Sequence, residues 1–318
     1  MKKLFTILLV SFTLVACGEK TEEVESTQTD NVSEPTAEVT KTINVYTRDS
    51  ASGTREAFES GIGLDDGMLT LEASEVSGNG DMASKVKADA NGIGYVSLTT
   101  DFVGNKIKPL DFEGVTASIE TVLDGSYTLQ RPFNYVTRAA GDFESTDVEE
   151  LVSAFISYIT LSQEGLAVIE GAGGIVDYTN SKPWSDIASD YPILNQDNSG
   201  ITIKTGGSTS VEKAINAALT SFQPLAGNVQ FAMDQTGSSD GYKRTLGEES
   251  TGVNSKDIGF ASRNFKDSED ISNALYSGAF CQDAVVIVVS EDNPLSNLTK
   301  QQVNDIYSGA VTDFLDLN

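Results

Sequence analysis

The sequence contains no histidine and only two cysteines, Cys17 and Cys281. Without histidine the chain can form neither a Ser-His-Asp nor a Cys-His catalytic centre, and it has no histidine-ligated metal site. Two cysteines are too few for a cysteine-cluster metal site. These absences argue against a hydrolase or a metalloenzyme, so we expect a protein that is not an enzyme and that uses no metal and no cofactor.

Basic residues are also scarce, because 21 Lys and Arg stand against 47 Asp and Glu and give a formal charge of −26. Such a charge argues against electrostatic binding of nucleic acid or of an anionic membrane surface. The 318 residues are 39% hydrophobic and 21% charged, which is typical of a globular protein with enough material for a core. A chain of this length favours two domains over one.

The N-terminus has the features of a secretory signal. Residues 1–3 carry two lysines and residues 4–15 form an almost uninterrupted apolar run, which is too short for a comfortable transmembrane helix. Residues 14–17, Leu-Val-Ala-Cys, resemble the bacterial lipobox. That resemblance implies that residues 1–17 are a lipoprotein signal peptide cleaved before Cys17, whose sulfur is then lipidated. The alternative is an ordinary signal peptide with an incidental cysteine.

Residues 18–41 differ in composition from the rest of the chain. They contain seven acidic residues and seven Ser or Thr, with few apolar side chains. Such a segment buries too little surface to offset the entropy of ordering. We therefore predict a disordered acidic tether that holds a globular body away from a membrane surface.

From residue 42 onward, short apolar strands, Gly/Ser turns and amphipathic helices predict an α/β fold. We predict capping boxes at Thr209 with Glu212 and at Thr146 with Glu149. Residues 284–289 are continuously apolar and predict a strand that is buried on both faces. The predicted apolar stripes are Val211, Ile215, Leu219 and Phe222 in one helix and Leu151, Phe155 and Ile159 in another.

Glycine and hydroxyl residues are concentrated in turns between a strand and a helix, at 52–54, 208–210 and 237–241. There, free backbone N–H groups and hydroxyls lie at a positive helix end and suit a phosphate-like anion. Arg48 precedes the first turn, and its guanidinium fork could hold two oxygens. The alternative is that each turn is only a helix cap. Residues 49–54 superficially resemble the phosphoserine signature of alkaline phosphatases, but those enzymes need histidine ligands.

The body of the chain resembles PstS-type proteins, the extracellular phosphate-binding lipoproteins of phosphate ABC transporters. That resemblance implies a type II periplasmic binding protein-like fold, with two α/β lobes and a ligand cleft between them. It also implies capture of inorganic phosphate, delivery to an ABC permease and a monomer at the extracellular face of the membrane. The segments that resemble the family are 48–59, 91–97, 131–133, 155–165, 207–211, 257–263 and 293–299.

The order of these segments differs from the family pattern, in which the Gly-Ser-Thr-Ser segment comes first. Here the Ser-Gly-Thr-Arg half precedes it, which we interpret as a circular permutation; a truncated or spliced chain is the alternative. We predict that residues 42–124 together with 291–318 form one lobe. Residues 125–290 then form the other lobe without a break.

The resemblance also implies the phosphate ligands. They are Arg48, Ser52, Gly53 and Thr54 in the first lobe, and Thr209, Ser210, Ser238 and Ser262 in the second. Some family members carry a carboxylate at the positions of Ser50 and Ser262, where it accepts the proton of hydrogen phosphate and repels sulfate. Since both positions are serine here, we expect Asp49 or Asp240 to be the proton acceptor, or else each to be an exposed turn carboxylate.

Two other functions stay open at this point. One is binding of another oxyanion, such as sulfate or molybdate, and the other is a surface sensor or adhesin lipoprotein that uses the same fold without transport. For two further residues the sequence predicts a structural role. We expect Arg263 to form a surface ion pair, with contact to the anion as the alternative, and Cys281 to be a small core residue.

Overall fold

The computed structural model describes residues 42–317; the predicted signal peptide, the lipidated Cys17 and the acidic tether lie outside the described residues. The strands are β1 (Asn44–Arg48), β2 (Ser74–Val76), β3 (Gly92–Ser97), β4 (Ile107–Pro109), β5 (Asp111–Phe112), β6 (Gln130–Thr137), β7 (Thr202–Gly207), β8 (Gln230–Gln235), β9 (Ile258–Ala261), β10 (Ser277–Ser290) and β11 (Asn297–Leu298). The helices are α1 (Gly53–Ile62), α2 (Asn79–Ala88), α3 (Phe102–Asn105), α4 (Ile119–Leu123), α5 (Thr146–Leu161), α6 (Gln163–Gly171), α7 (Trp184–Ala188), α8 (Glu212–Phe222), α9 (Ser238–Thr245) and α10 (Lys300–Ser308). Short 3₁₀ helices occupy Pro192–Asn195, Gln223–Ala226 and Phe314–Asp316.

One mixed sheet connects most of the strands, in the order β2-β1-β3-β10-β6-β9-β7-β8, with β4 also paired to β10. At one end β1 runs parallel to β2 and β3, which we call the first parallel set. At the other end β7 runs parallel to β8 and β9, which we call the second parallel set. Strands β10 and β6 are antiparallel to each other and join the two sets. The predicted α/β class is confirmed.

Strand β10 serves both ends of the sheet. Its first part pairs with β6 and its second part, Val285 to Val289, pairs with β3. Every residue from 284 to 289 is at most 1% exposed, so the predicted buried strand is confirmed. A strand covered on both faces needs apolar side chains on both, which explains the absence of an alternating pattern.

The buried hydrophobic side chains form separate clusters, and β10 contributes residues to each of them. One cluster packs helices α5, α6 and α8 against β6, β7 and β9. Another packs α1 and α10 against β1, β3 and the second part of β10, with Phe58 stacked on Tyr95 at a centroid distance of 4.0 Å. All seven residues of the two predicted stripes are buried, which confirms both amphipathic helices. The boundaries of the two lobes stay a prediction.

The predicted capping box at Thr209 and Glu212 is wrong. Helix α8 begins at Glu212 after Val211, which makes no side-chain cap. The Thr209 hydroxyl instead accepts a hydrogen bond from Arg48 Nη2 at 3.2 Å. Thr209 therefore binds Arg48, which is 161 positions away in the chain, and does not cap the helix as the local sequence predicts.

The second predicted box, at Thr146 and Glu149, is also wrong. The N-cap is Ser145, whose hydroxyl accepts from the backbone N–H of Val148 at 3.2 Å. The Glu149 carboxylate accepts from the backbone N–H of Gly141 at 2.6 Å. Ser145 and Thr146 are both good caps, and the glutamate is drawn to the preceding loop rather than to the helix end.

The two ends of the described chain meet. Ile43 N–H donates to the carbonyl of Thr312 at 2.8 Å, and Thr42 forms an antiparallel bridge with Asp313. A circular permutation requires such adjacency, but the permutation itself stays a prediction. Cys281 is buried with a free thiol, as predicted for a small core residue. No helix within residues 42–317 is long and apolar enough to cross a membrane.

Candidate functional site

The first Gly/Ser turn leads from β1 into α1. Ser52 is the N-cap, and its hydroxyl accepts from Arg55 N–H at 3.3 Å. A side chain at Gly53 would collide with the hydroxyl of Ser238, which belongs to the start of α9. Glycine at this position therefore allows the start of α1 and the start of α9 to come into contact.

The second turn follows β7 and leads toward α8. Gly207 has a φ of 119°, and a side chain there would collide with the carbonyl of Phe260 on β9. The chain then places Ser208 and Ser210 in the interior, at 2% and 1% exposure. Because no side chain of this turn caps α8, its hydroxyls are available to the opposite parallel set.

The two turns meet in direct contact. Arg48 Nη2 donates to Thr209 Oγ1 at 3.2 Å, and Thr54 Oγ1 lies 2.9 Å from Ser210 Oγ. Arg48 Nη2 also donates to the carbonyl of Ser77 at 3.0 Å. The structure thus brings predicted site residues from both parallel sets to one place between β1 and β7.

The Arg48 guanidinium is 1% exposed yet only partly paired. Its Nε and Nη1 atoms have no hydrogen-bond partner among the described residues. The nearest carboxylate oxygen is Asp49 Oδ2, at 3.9 Å from Nη2. Burial lowers the pKa of Arg48, although Asp49 opposes this effect. Buried N–H donors without partners are costly, so this group is suited to an anionic ligand.

Two surface cavities flank Thr209. One, of about 580 Å³, is lined by Asp49, Ser77 and Gln235 among others. The other, of about 440 Å³, is lined by Asn79, Ser210 and Met233 among others. The side-chain amide of Gln235 and Oδ1 of Asn79 are buried without partners among the described residues. Sequence reasoning did not select either of these amides.

The third turn places Ser238 against Ser262. Ser238 begins α9, and its hydroxyl accepts from the backbone N–H of Ser262 at 3.0 Å. The two hydroxyls lie 3.3 Å apart, and Ser208 Oγ donates to Ser262 Oγ at 2.8 Å. Ser238 and Ser262 are both fully buried. The predicted ligand Ser262 therefore belongs to a cluster of hydroxyls.

The sequence analysis missed a buried ion pair behind these hydroxyls. Arg131 Nη2 and Asp283 Oδ2 are 2.8 Å apart, with side chains 2% and 0% exposed. Burial lowers the pKa of Arg131 against the opposing effect of Asp283, and burial raises the pKa of Asp283 against the opposing effect of Arg131. An aspartate at the start of the apolar run 284–289 was the available signal, because a charge in a buried strand needs a partner.

The two candidate proton acceptors are placed differently. Asp240 accepts from Thr236 Oγ1 at 2.5 Å and pairs with Arg244 Nη2 at 3.4 Å, so its carboxylate is engaged within its own helix and the preceding loop. Asp49 lines the 580 Å³ cavity beside Arg48, with a side chain 32% exposed. Arg263 forms an ion pair with Glu269 Oε2 at 2.7 Å, but the predicted surface position is wrong, because its side chain is only 5% exposed.

The assembled groups suit binding of an anion rather than bond cleavage. The cluster offers a guanidinium, several hydroxyls and the N-termini of α1 and α9, which are all donors or positive dipole ends. Within residues 42–317 no group of three or more acidic or cysteine side chains is arranged to hold a metal ion. A tetrahedral oxyanion matches this set of donors.

Comparison with known proteins gives four consistent results. Residues 192–316 match the model of the PBP superfamily domain. "Phosphate-binding protein PstS 2" of Streptococcus pneumoniae serotype 4 is 30% identical over 321 residues, covering 98% of this chain and 97% of that protein. The protein of the same name from Streptococcus agalactiae serotype V is 29% identical over 285 residues, covering 87% and 88%. A crystal structure of a phosphate ABC transporter, phosphate-binding protein from S. pneumoniae TIGR4 matches with a TM-score of 0.61 and 29% identity, over 87% of this chain and all of that one.

The alignment with the S. pneumoniae relative runs through both chains almost from end to end. The segments therefore follow one another in this chain as they do in that relative. A circular permutation is not confirmed by these comparisons. The periplasmic binding protein-like fold is confirmed.

Proposed function

Because this chain belongs to the PstS family of phosphate-binding proteins, we propose that it captures inorganic phosphate outside the cell for import by an ABC transporter. The protein is a solute-binding protein and not an enzyme. The single observation that supports phosphate-sized anion capture is the Arg48 guanidinium, which is buried between two Gly/Ser turns with two nitrogens unpaired among the described residues.

In this proposal the anion lies between the two parallel sets. Its donors in the first are Arg48 and the turn of Ser52, Gly53 and Thr54, and in the second Thr209 and Ser238. The other two predicted ligands, Ser210 and Ser262, act from behind Thr54 and Ser238, with which they form hydrogen bonds. Hydrogen bonds from these donors act at short range, whereas the formal charge of −26 acts at long range. Salt screens the long-range repulsion beyond about 10 Å at 0.1 M ionic strength. The repulsion therefore slows the approach of phosphate more than it weakens the binding of phosphate in the site.

Asp49 is our candidate for the acceptor of the phosphate proton. It lies beside Arg48 at the cavity, whereas Asp240 is engaged with Arg244. A carboxylate in that position forms a hydrogen bond with hydrogen phosphate and repels sulfate, which has no proton to give. Sites built around such a hydrogen bond discriminate strongly against ligands that lack it.

The remaining features belong to the same proposal. The protein is anchored by lipid on Cys17 at the extracellular face of the membrane, works as a monomer and delivers phosphate to the permease subunits. Residues 42–124 with 291–318 form one lobe and residues 125–290 form the other, with the ligand in the cleft between them.

Isothermal titration calorimetry with phosphate, sulfate and molybdate tests this function. We expect saturable binding of phosphate, with sulfate and molybdate at least about tenfold weaker. Tighter binding of sulfate or molybdate than of phosphate would show that the ligand of this protein is that other oxyanion. That alternative has one observation in its favour, since among residues 42–317 the side-chain hydrogen-bond partners of Ser262 are Arg131, Ser208 and Ser238 and include no carboxylate, although some family members carry a carboxylate at this position. Failure of all three anions to bind would contradict the proposal.

A further inference from the structure

A buried ion pair lies behind the hydroxyl groups of the site. Arg131 and Asp283 stand directly opposite each other on β6 and β10. Arg131 Nε and Nη2 donate to Asp283 Oδ2 at 3.0 and 2.8 Å, and Ser97 Oγ donates to Asp283 Oδ1 at 2.9 Å. The carboxylate therefore fixes the orientation of the guanidinium, and the other N–H groups of Arg131 are directed away from it.

Those other N–H groups reach one serine on each of two different turns. Arg131 Nη1 donates to Ser262 Oγ at 3.1 Å, and Nη2 donates to Ser210 Oγ at 2.9 Å. A guanidinium has only donors, so the serine oxygens must accept in both hydrogen bonds. Arg131 thereby occupies one lone pair on each serine.

A second donor occupies the other lone pair of each serine. Asn79 Nδ2 donates to Ser210 Oγ at 3.2 Å, and Ser208 Oγ donates to Ser262 Oγ at 2.8 Å. A hydroxyl has two lone pairs and one proton. Ser210 and Ser262 therefore have no lone pair left, and each can only donate its proton to a further group.

The protons of these two serines define two short hydrogen-bond chains. Ser210 Oγ lies 2.9 Å from Thr54 Oγ1, so Ser210 donates to Thr54. Ser262 Oγ lies 3.3 Å from Ser238 Oγ, which also accepts from the Ser262 backbone N–H at 3.0 Å. Both lone pairs of Ser238 are then in use. The protons of Thr54 and Ser238, each on the first turn of a helix, stay available to a bound anion.

Resting on the proposed phosphate function, we propose that Arg131, oriented by Asp283, is a positioning residue that sets the direction of both chains. Through Ser210 and Ser262 it makes Thr54 and Ser238 present protons to the anion. Its positive charge is largely balanced by Asp283, so its contribution is the geometry of the hydroxyls rather than direct attraction. Donors that are oriented before binding need no reorganisation when the anion arrives.

The substitution Arg131→Lys tests this role, because lysine keeps the charge but loses the planar fork that reaches both serines. We expect at least a tenfold loss of phosphate affinity, by the usual scale of about tenfold for one hydrogen bond to a charged group. Arg138→Lys is the matched control, since Arg138 is 9% exposed just after β6 and binds loop carbonyls of Asp142 and Ser250. We expect it to change the affinity by less than about twofold.

A double-mutant cycle separates positioning from a merely structural role. In the Ser210→Ala/Ser262→Ala background, we expect Arg131→Lys to change phosphate affinity by less than about twofold, because its route to the anion is already cut. A full additional loss in that background would overturn the inference. Absence of phosphate binding by the unaltered protein would instead contradict the proposed function, so the two failures are distinguishable.

If Arg131→Lys shows no cooperative unfolding transition, the residues at the ends of the two hydrogen-bond chains provide the decisive measurement. Thr54→Val and Ser238→Ala each remove one terminal hydroxyl and leave the ion pair in place. We expect each to weaken phosphate binding at least about fivefold, since each removes a hydrogen bond to a charged ligand. Unchanged affinity in both variants would overturn the inference.

Discussion

Arg48 and Arg131 are both buried guanidinium groups at the same site, but they differ in how they are paired. Arg131 has a carboxylate partner at 2.8 Å and donates to two serines besides. Arg48 has its nearest carboxylate at 3.9 Å and two nitrogens without a partner among the described residues. Arg131, whose guanidinium nitrogens all have partners, is suited to hold other groups in place. Arg48, which has unpaired nitrogens, is suited to bind a ligand.

The largest expected effect comes from breaking the ion pair between Arg131 and Asp283. Asp283→Ala leaves Arg131 buried without its carboxylate, so we expect the free energy of unfolding to fall by about 3–5 kcal/mol. Asp49→Ala removes the half-exposed neighbour of Arg48 and should lower it by less than about 1 kcal/mol. Chemical denaturation of both variants measures the difference. Equal losses would show that the two arginines are paired alike.

Removal of the Arg48 guanidinium should lower the affinity for the ligand rather than the stability of the fold. We expect Arg48→Met to lower phosphate affinity at least about 100-fold, because two or more hydrogen bonds to a charged ligand are lost. Its free energy of unfolding without phosphate should stay the same or rise, since an incompletely paired buried charge is replaced by an apolar chain. Arg138→Met is the control for calorimetry. Phosphate affinity that is unchanged in Arg48→Met would remove Arg48 from the site.

The carboxylate beside Arg48, Asp49, gives a smaller and more selective effect. Asp49→Asn should lower the ratio of phosphate to sulfate affinity by about tenfold, because the amide can donate to sulfate where the carboxylate repels it. The effect is moderate since the Asp49 side chain is 32% exposed. Asp240→Asn, whose carboxylate pairs with Arg244, serves as the control and should leave the ratio unchanged. If the ratio of phosphate to sulfate affinity changes with Asp240→Asn and not with Asp49→Asn, Asp240 is the proton acceptor.

The smallest expected effect concerns the helix cap beside Arg48. Ser52→Ala removes the N-cap of α1 and should lower the free energy of unfolding by about 1 kcal/mol, with a further few-fold loss of phosphate affinity. Ser118→Ala removes the N-cap of α4, which takes no part in the site. It should lower stability by a similar amount and leave affinity unchanged. If both variants bind phosphate equally well, the first turn is only a helix cap.

The contrast between the two arginines also explains what the sequence could and could not predict. Arg48 and the turn of Ser52 to Thr54 are local, because strand, turn and helix start follow within a few residues. The stripes of α5 and α8 and the buried run 284–289 are equally local, and the structure confirms them. Periodicity and turn composition were sufficient for these features.

The features that sequence reasoning missed depend on contacts between distant segments. Arg131 and Asp283 are 152 positions apart and meet only through the register of β6 against β10. The local spacing predicts a capping box for Thr209, but its hydroxyl accepts a hydrogen bond from the Arg48 side chain instead. Hydrophobic pattern fixes which strands are buried, whereas the partner of a buried polar group is decided by the tertiary fold.

A crystal structure of the protein with bound phosphate tests the central claim most directly. We predict phosphate oxygens within about 3 Å of Arg48 Nε and Nη1 and of the Thr54 and Ser238 hydroxyls, with Arg131 still bound to Asp283. Phosphate held directly by Arg131, with Asp283 displaced and the Arg48 nitrogens directed elsewhere, would contradict the distinction between the two arginines.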